Sequence, residues 1–367
     1  HRHAALRPPW MQVMIVNEFA PTWFLGVAVL LALALVLGIG SSLLGLLAVV
    51  LLGATLVLLM VMIGRSTRSL AATRSALGPD IAVDRPRYRW TEVVFPYPYS
   101  DDLAVERIED LAYAEGLELD LYRSLDHPGT PSPLLVHVHG GSWGGGNRRE
   151  QAQPMIKEMA RRGWIVAAVD YPLIPAATYP DQVVALQEAM RWLRDHAASH
   201  AIDTGAIFVT GGSAGAHLGS VLALTDGASP WSLRQLDEPT IAGAVVLYGI
   251  YDMLNRNGAR DDWPFIARDV VKADPVHEVE RFRDASPIDL VSSDAPPFLV
   301  IHGESDSLVP IAESEHFVDA LRDDSHSSVS FIPVPGATHA FDAVPSLRTQ
   351  NVVAGVASWL DEMARRR

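Results

Sequence analysis

The chain has 367 residues, a formal net charge of −14 and no cysteine. Without thiols there is no disulfide framework, no zinc–thiolate site and no cysteine nucleophile. The acidic balance argues against nucleic acid as a partner, since phosphate recognition needs clustered Lys and Arg, and the terminal Arg365-Arg366-Arg367 reads as a solvated helix end.

A tail, residues 1–18, carries Arg2 and Arg7 and leads into an apolar block over 19–64. No charged residue occurs from Phe19 to Ile63. A bilayer span needs about 20 apolar residues. The block holds two such lengths, 20–39 and 43–63, separated by Gly38-Ile39-Gly40-Ser41-Ser42. The sequence therefore predicts a transmembrane helical hairpin. A secretory signal has too short an apolar core to fit, and a soluble helix pair would show a polar face. One tilted helix of this length, the nearest rival, would reach about 67 Å. Arg65, Arg68 and Arg74 follow the block, while the turn is uncharged. Both ends then prefer the cytoplasm, which predicts a multi-pass protein with two spans and a cytoplasmic catalytic domain.

Residues 65–110 read as a connector, proline-stiffened at Asp84-Arg85-Pro86 and Pro96-Tyr97-Pro98. From 111 to 367, short apolar runs (134–138, 164–169, 207–209, 244–247, 298–301 and 329–334) alternate with helical patterns at 155–162, 183–193, 214–224 and 352–363. That alternation predicts a doubly wound, mostly parallel α/β sheet covered on both faces. In such sheets ligands bind beyond the carboxyl ends of the strands.

Four of those strand ends carry chemistry. His139-Gly140-Gly141-Ser142-Trp143 follows the first run, where the backbone can approach a substrate. Gly140, Gly141 and Ser142, with Ala214, form the candidate oxyanion hole, the N–H groups of Gly141, Ser142 and Ala214 being the expected donors. Gly211-Gly212-Ser213-Ala214-Gly215 has the strand before and the helix after that a nucleophile elbow requires. Asp306 follows the 298–301 run and His339 the 329–334 run. The order Ser213, Asp306, His339 is that of an α/β-hydrolase triad of nucleophile, orienting acid and base. Asp252, at another strand end, is the best rival for the acid. The Gly144-Gly145-Gly146 run lacks the ending of a phosphate loop. No metal or organic cofactor is expected.

His-Gly-Gly-x-Trp at 139–143, Asp170-Tyr171-x-Leu173-x-Pro175, Gly-x-Ser-Ala-Gly at 211–215, Ala285-Ser286-Pro287-Ile288, His302-Gly303-x-x-Asp306 and Gly336-x-x-His339 resemble the hormone-sensitive-lipase-like bacterial carboxylesterases over about 115–365. The elbow is also similar to that of prenylcysteine methylesterases, which are membrane-attached, and the apolar N-terminus to that of mycobacterial lipases. Three positions depart from the pattern: Ser142 where a third glycine is usual, Gly212 where Asp is frequent and Pro172 where Arg is common. The resemblance implies a serine carboxylesterase or lipase, with residues 252–284 as a small cap. Trp143, Tyr171, Tyr248, Trp263 and Phe341 are the candidate pocket walls. The expected substrate is a carboxylic ester, lipid-like because of the anchor. Amide, peptide or thioester hydrolysis on the same fold, and a non-catalytic membrane scaffold, are the alternatives.

Overall fold

The computed structural model describes residues 10–97, 102–225, 241–260 and 263–367, with only the backbone of Trp263. The chain opens with α1 (Trp10–Glu18), α2 (Ala20–Val36), a 3-10 turn (Ile39–Ser41), α3 (Leu43–Leu77) and α4 (Trp90–Val94). Then follow β1 (Val105–Ala114), β2 (Leu117–Ser124), β3 (Ser132–Val138), α5 (Gln153–Arg161), β4 (Ile165–Val169), α6 (Asp181–Asp195), α7 (Ala197–His200), β5 (Ile202–Gly212), α8 (Ala214–Leu224) and β6 (Ile241–Leu247). The remainder comprises α9 (Trp263–Phe265), α10 (Val279–Asp284), β7 (Phe298–Gly303), α11 (Ala312–Asp324), β8 (Val329–Val334) and α12 (Leu347–Arg365).

The eight strands form one sheet in the order β1-β2-β4-β3-β5-β6-β7-β8. β1–β2 and β2–β4 pair antiparallel, and every pair from β4–β3 onward is parallel. Side chains alternate between the faces with a period of two. Leu134, Val136, Val138, Ile207 and Val209 enter one core with α6, α8 and α11. Leu135, Phe208, Val245 and Leu299 enter the other, with α5 and α12. Both faces are covered, so the central strands are apolar throughout. β1 lies at the sheet edge, where its charged Glu106, Arg107, Glu109 and Asp110 blunt the open hydrogen-bonding rim. Its charges are why residues from 105 read as connector in the sequence.

α2 packs along α3. Val29, Leu33, Leu44, Leu47, Leu51 and Leu58 are exposed, which gives the two helices a long apolar outer face. Among the described residues, α3 is long and apolar enough to cross a bilayer, whereas α1 and α2, bent by 70°, pass that measure only as a pair. The 35 residues of α3 rise about 52 Å against a hydrocarbon core of about 30 Å. The helix thus runs unbroken to Leu77, through residues that the sequence assigns to the connector. Its last turns bury Ser66, Ser69, Thr73 and Leu77. Asn351 of α12 donates to Ser69 Oγ at 3.0 Å and to the Ser66 carbonyl at 3.3 Å. Thr73 faces Gly355 so closely that a Cβ there would stand 2.1 Å from its methyl. The end of α3 is therefore seated against α12 rather than hung from the rest of the fold.

Candidate active site

Ser213 stands at the turn from β5 into α8 with φ 55° and ψ −120°, a conformation costly for a residue with a Cβ. The strain is held by tight neighbours. A Cβ at Gly215 would lie 2.1 Å from the Val138 carbonyl oxygen, and one at Gly211 would lie 2.5 Å from Gly215. Only glycine lets β3, β5 and α8 meet this closely. Ser213 N–H donates to the Leu247 carbonyl at 3.0 Å, locking the turn to the end of β6.

The loop after β3 folds back on itself, with Gly144 and Gly145 N–H groups both reaching the Gly141 carbonyl. Gly141, Ser142 and Trp143 all have positive φ. Neither the Gly141 nor the Ser142 amide has an acceptor among the described residues. Ala214 opens α8, where the first four N–H groups lack intrahelical acceptors. Gly140 differs: its N–H donates to Gln151 Oε1 at 2.7 Å, so it fixes the loop instead of facing a substrate. Nothing in the sequence singles out Gln151. Arg148 and Arg149 pin the same loop to Asp120, with Arg148 also pairing with Asp170.

His339 Nδ1 lies 2.7 Å from Asp306 Oδ2. The other carboxylate oxygen accepts the N–H groups of Leu308 and Val309, each at 2.9 Å. Burial favours the neutral acid, yet the bonds from His302 and His339 outweigh it and hold Asp306 well below the usual carboxylate range. The rival Asp252 is occupied by Arg256 and, among the described residues, bonds to no imidazole. Ser213 follows β5, Asp306 follows β7 and His339 follows β8, all at the carboxyl ends of parallel strands. Among the described residues no hydrogen bond joins Ser213 to His339, a bond that in free enzymes often tightens only with substrate.

Tyr248 links the two halves. Its ring centroid is 4.7 Å from that of His339, and its hydroxyl would be 2.7 Å from a Cβ at Gly212, beside Ser213. Glycine at 212 is therefore required by this tyrosine. The Tyr248 hydroxyl donates to Asp342, whose carboxyl is raised above its ordinary pKa, chiefly by burial. Phe341 is buried behind Tyr248. Two other candidate walls turn inward. Trp143 Nε1 donates to His217 Nδ1 at 3.1 Å, and burial lowers the His217 pKa to about 4, keeping it neutral. Tyr171 stacks on His139 and donates to its carbonyl at 2.9 Å. Both support the loop from behind. The side chain of Trp263 lies outside the described residues. The 252–284 stretch, as far as it is described, packs Ile266, Val270, Val271 and Phe282 into the main core.

The sequence gives no hint of one further neighbour: Trp10 sets its ring edge-on to His339, with centroids 5.5 Å apart. A cavity of about 670 Å³ lies elsewhere, between the 84–97 segment, α5 and α12. Its Arg89, Arg161 and Arg162 are matched by Glu92, Asp102, Glu158, Asp84 and Asp361, so it is a bed of ion pairs.

Residues 119–321 match the BD-FAE family profile. The chain belongs to this family of α/β hydrolases. A Mycobacterium tuberculosis protein named a probable carboxylic ester hydrolase, LipM, is 34% identical over 304 residues, covering 82% of this chain and 69% of LipM. Esterase LipQ from the same organism is 37% identical over 265 residues, covering 70% of this chain and 63% of LipQ. The fold is shared with a truncated carbohydrate esterase from gut microbiota, at a TM-score of 0.61 and 22% identity over 72% of this chain and 99% of that one. These relatives put the chain among the carboxylic ester hydrolases.

Proposed function

We propose that this BD-FAE member is a membrane-anchored serine esterase that splits carboxylic esters through an acyl-enzyme on Ser213, with lipid-like substrates. The observation that carries the reading is the Asp306–His339 bond of 2.7 Å, set at the same sheet edge as the strained Ser213 elbow. With Nδ1–H donated to Asp306, the imidazole keeps its Nε2 lone pair for the serine proton. Ser213 Oγ then attacks the ester carbonyl. The negative oxygen that forms is stabilised by the amides of Gly141, Ser142 and Ala214, each such donor contributing about 3–4 kcal/mol to the transition state. Nε2–H passes its proton to the departing alkoxide. Water, deprotonated by the same nitrogen, releases the acid and restores the serine. None of these steps calls for a bound metal.

The anchor supports the lipid assignment. In this reading residues 19–64 cross the bilayer twice, both ends lie in the cytoplasm, and residues 111–367 form the catalytic domain against the inner leaflet. The arginines following the apolar block and the uncharged turn motivate that orientation. The long exposed apolar faces of α2 and α3 support membrane residence, and the continuity of α3 into the domain would hold the site at a fixed height above the lipid.

The test is hydrolysis of an acyl-chain series by the full chain in detergent and in vesicles. Ester turnover that rises with chain length and in vesicles is expected, with Ser213→Ala lowering kcat on the order of 10⁴–10⁶-fold. Turnover of amides or thioesters above esters would move the assignment to another hydrolase. Undiminished activity in Ser213→Ala would remove it.

A further inference from the structure

Trp10 reaches the catalytic histidine from outside the hydrolase fold, since α1 precedes the apolar hairpin. Its indole meets the His339 imidazole at 81° between planes. The helix is fastened at its other end as well. Asn17 Nδ2 donates to the Gly336 carbonyl at 2.6 Å, three residues before His339. Ser346 Oγ donates to Glu18 Oε2 at 2.6 Å, and Arg348 pairs with the other oxygen of that carboxylate. Both side chains of the Glu18–Arg348 pair are fully buried. A buried ion pair is strongly destabilising to break, since the surviving charge has no water. This nine-residue helix is therefore a fixed part of the histidine loop's surroundings and not a loose leader.

Among the described residues His339 has two aromatic neighbours. Tyr248 is buried in the core, whereas Trp10 is only half-buried. Trp10 is the one that a substrate can touch. In acyl transfer the imidazole hands its proton to the alcohol oxygen, so a side chain flanking that ring borders the alcohol half of the ester. The helix that bears it turns through 70° into α2, which places this flank beside the base of the apolar hairpin. Tryptophan at such a position suits a membrane–water interface.

Resting on the serine-esterase reading, we infer that Trp10 is a specificity-determining wall for the alcohol moiety, and that the alcohol half of the substrate is its apolar, membrane-side half. An indole offers broad apolar area, so it rewards a long or bulky alcohol and is indifferent to a short one.

The experiment compares the chain and its Trp10→Ala variant on two matched series: acetate esters of methanol to octanol, and methyl esters of acetic to octanoic acid. The inference expects the octyl-to-methyl ratio of kcat/KM in the alcohol series to fall by about tenfold or more in Trp10→Ala, with Trp10→Phe keeping most of it. The ratio along the acyl series should stay within about twofold of the parent. Equal loss along both series, or no change in the alcohol ratio, overturns it. Fluorophosphonate labelling of Trp10→Ala guards against misfolding: a variant that labels yet keeps the parental alcohol ratio refutes the wall. Should the variant not label, Trp10→Leu carries the same ratio test. A parent chain that hydrolyses neither series overturns the esterase reading itself, a distinct result.

Discussion

Replacing Gly355 by alanine should prise α3 away from the catalytic domain. A Cβ at this position would lie 2.1 Å from Thr73 Cγ2 and 3.4 Å from Leu77 Cδ1. The first separation is far inside the roughly 3.5–4.0 Å of a carbon–carbon contact. Thr73 is fully buried, so it has nowhere to turn and the helices must part or tilt. Overpacking of this kind costs about 1–3 kcal/mol, which for a domain of this size lowers the melting temperature by about 2–4 °C per kcal/mol. Thr73→Ala removes both the clashing methyl and a buried hydroxyl that has no hydrogen-bond partner among the described residues. The Thr73→Ala/Gly355→Ala pair should then recover most of the loss, a coupling of about 1–2 kcal/mol in a double-mutant cycle. Apparent melting of the detergent-solubilised full chain and ester turnover in vesicles are the two readouts. Both should fall in Gly355→Ala and return in the double variant. Additive effects, or Gly355→Ala as stable as the parent, would refute the packing of α3 on α12.

Three other substitutions probe the site. Asp306→Asn should keep the protein folded and lower kcat by about 10³–10⁴-fold, because the imidazole loses the acceptor that fixes its tautomer. Asp306 also has a folded pKa below its unfolded one. Its stabilising contribution is therefore full above about pH 4 and fades as the pH falls further, so acid melting curves of Asp306→Asn should be less steep than those of the parent. Tyr248→Phe strips the donor from the buried Asp342 and should cost about 1–3 kcal/mol in stability, with kcat within about tenfold of the parent since the ring still backs His339. Ser142→Gly relieves a left-handed residue at φ 53° and should stabilise the protein by about 1 kcal/mol without removing the amide donor, giving a raised melting temperature at near-parental kcat.

The Asp306–His339 pair was legible because each residue sits in a short motif directly after an apolar strand, and parallel sheets bring such ends to one edge. Asp306 and His339 meet at 2.7 Å although 33 residues separate them. What the residues do not advertise is direction. Trp143 and Tyr171 are large aromatics in the right loops, yet their polar atoms find His217 and the His139 carbonyl behind the site. The seating of α3 on α12 was hidden for a different reason. Arg65, Arg68 and Arg74 look like the end of a span, while Ser66, Ser69 and Thr73 carry no apolar stripe, so the small-residue face that seats α3 on α12 has no periodic signal. α1 is short and ordinary in composition, and only the fold brings Trp10 to His339. Gly140 was indistinguishable from Gly141 until Gln151 took its amide.

Covalent trapping of the nucleophile tests the central claim most directly. After reaction of the full chain with a fluorophosphonate and digestion, the mass of one phosphonyl group should be found on the peptide at Ser213, and disappear in Ser213→Ala together with ester turnover. A label on any other residue, or turnover that survives complete modification of Ser213, would contradict the account.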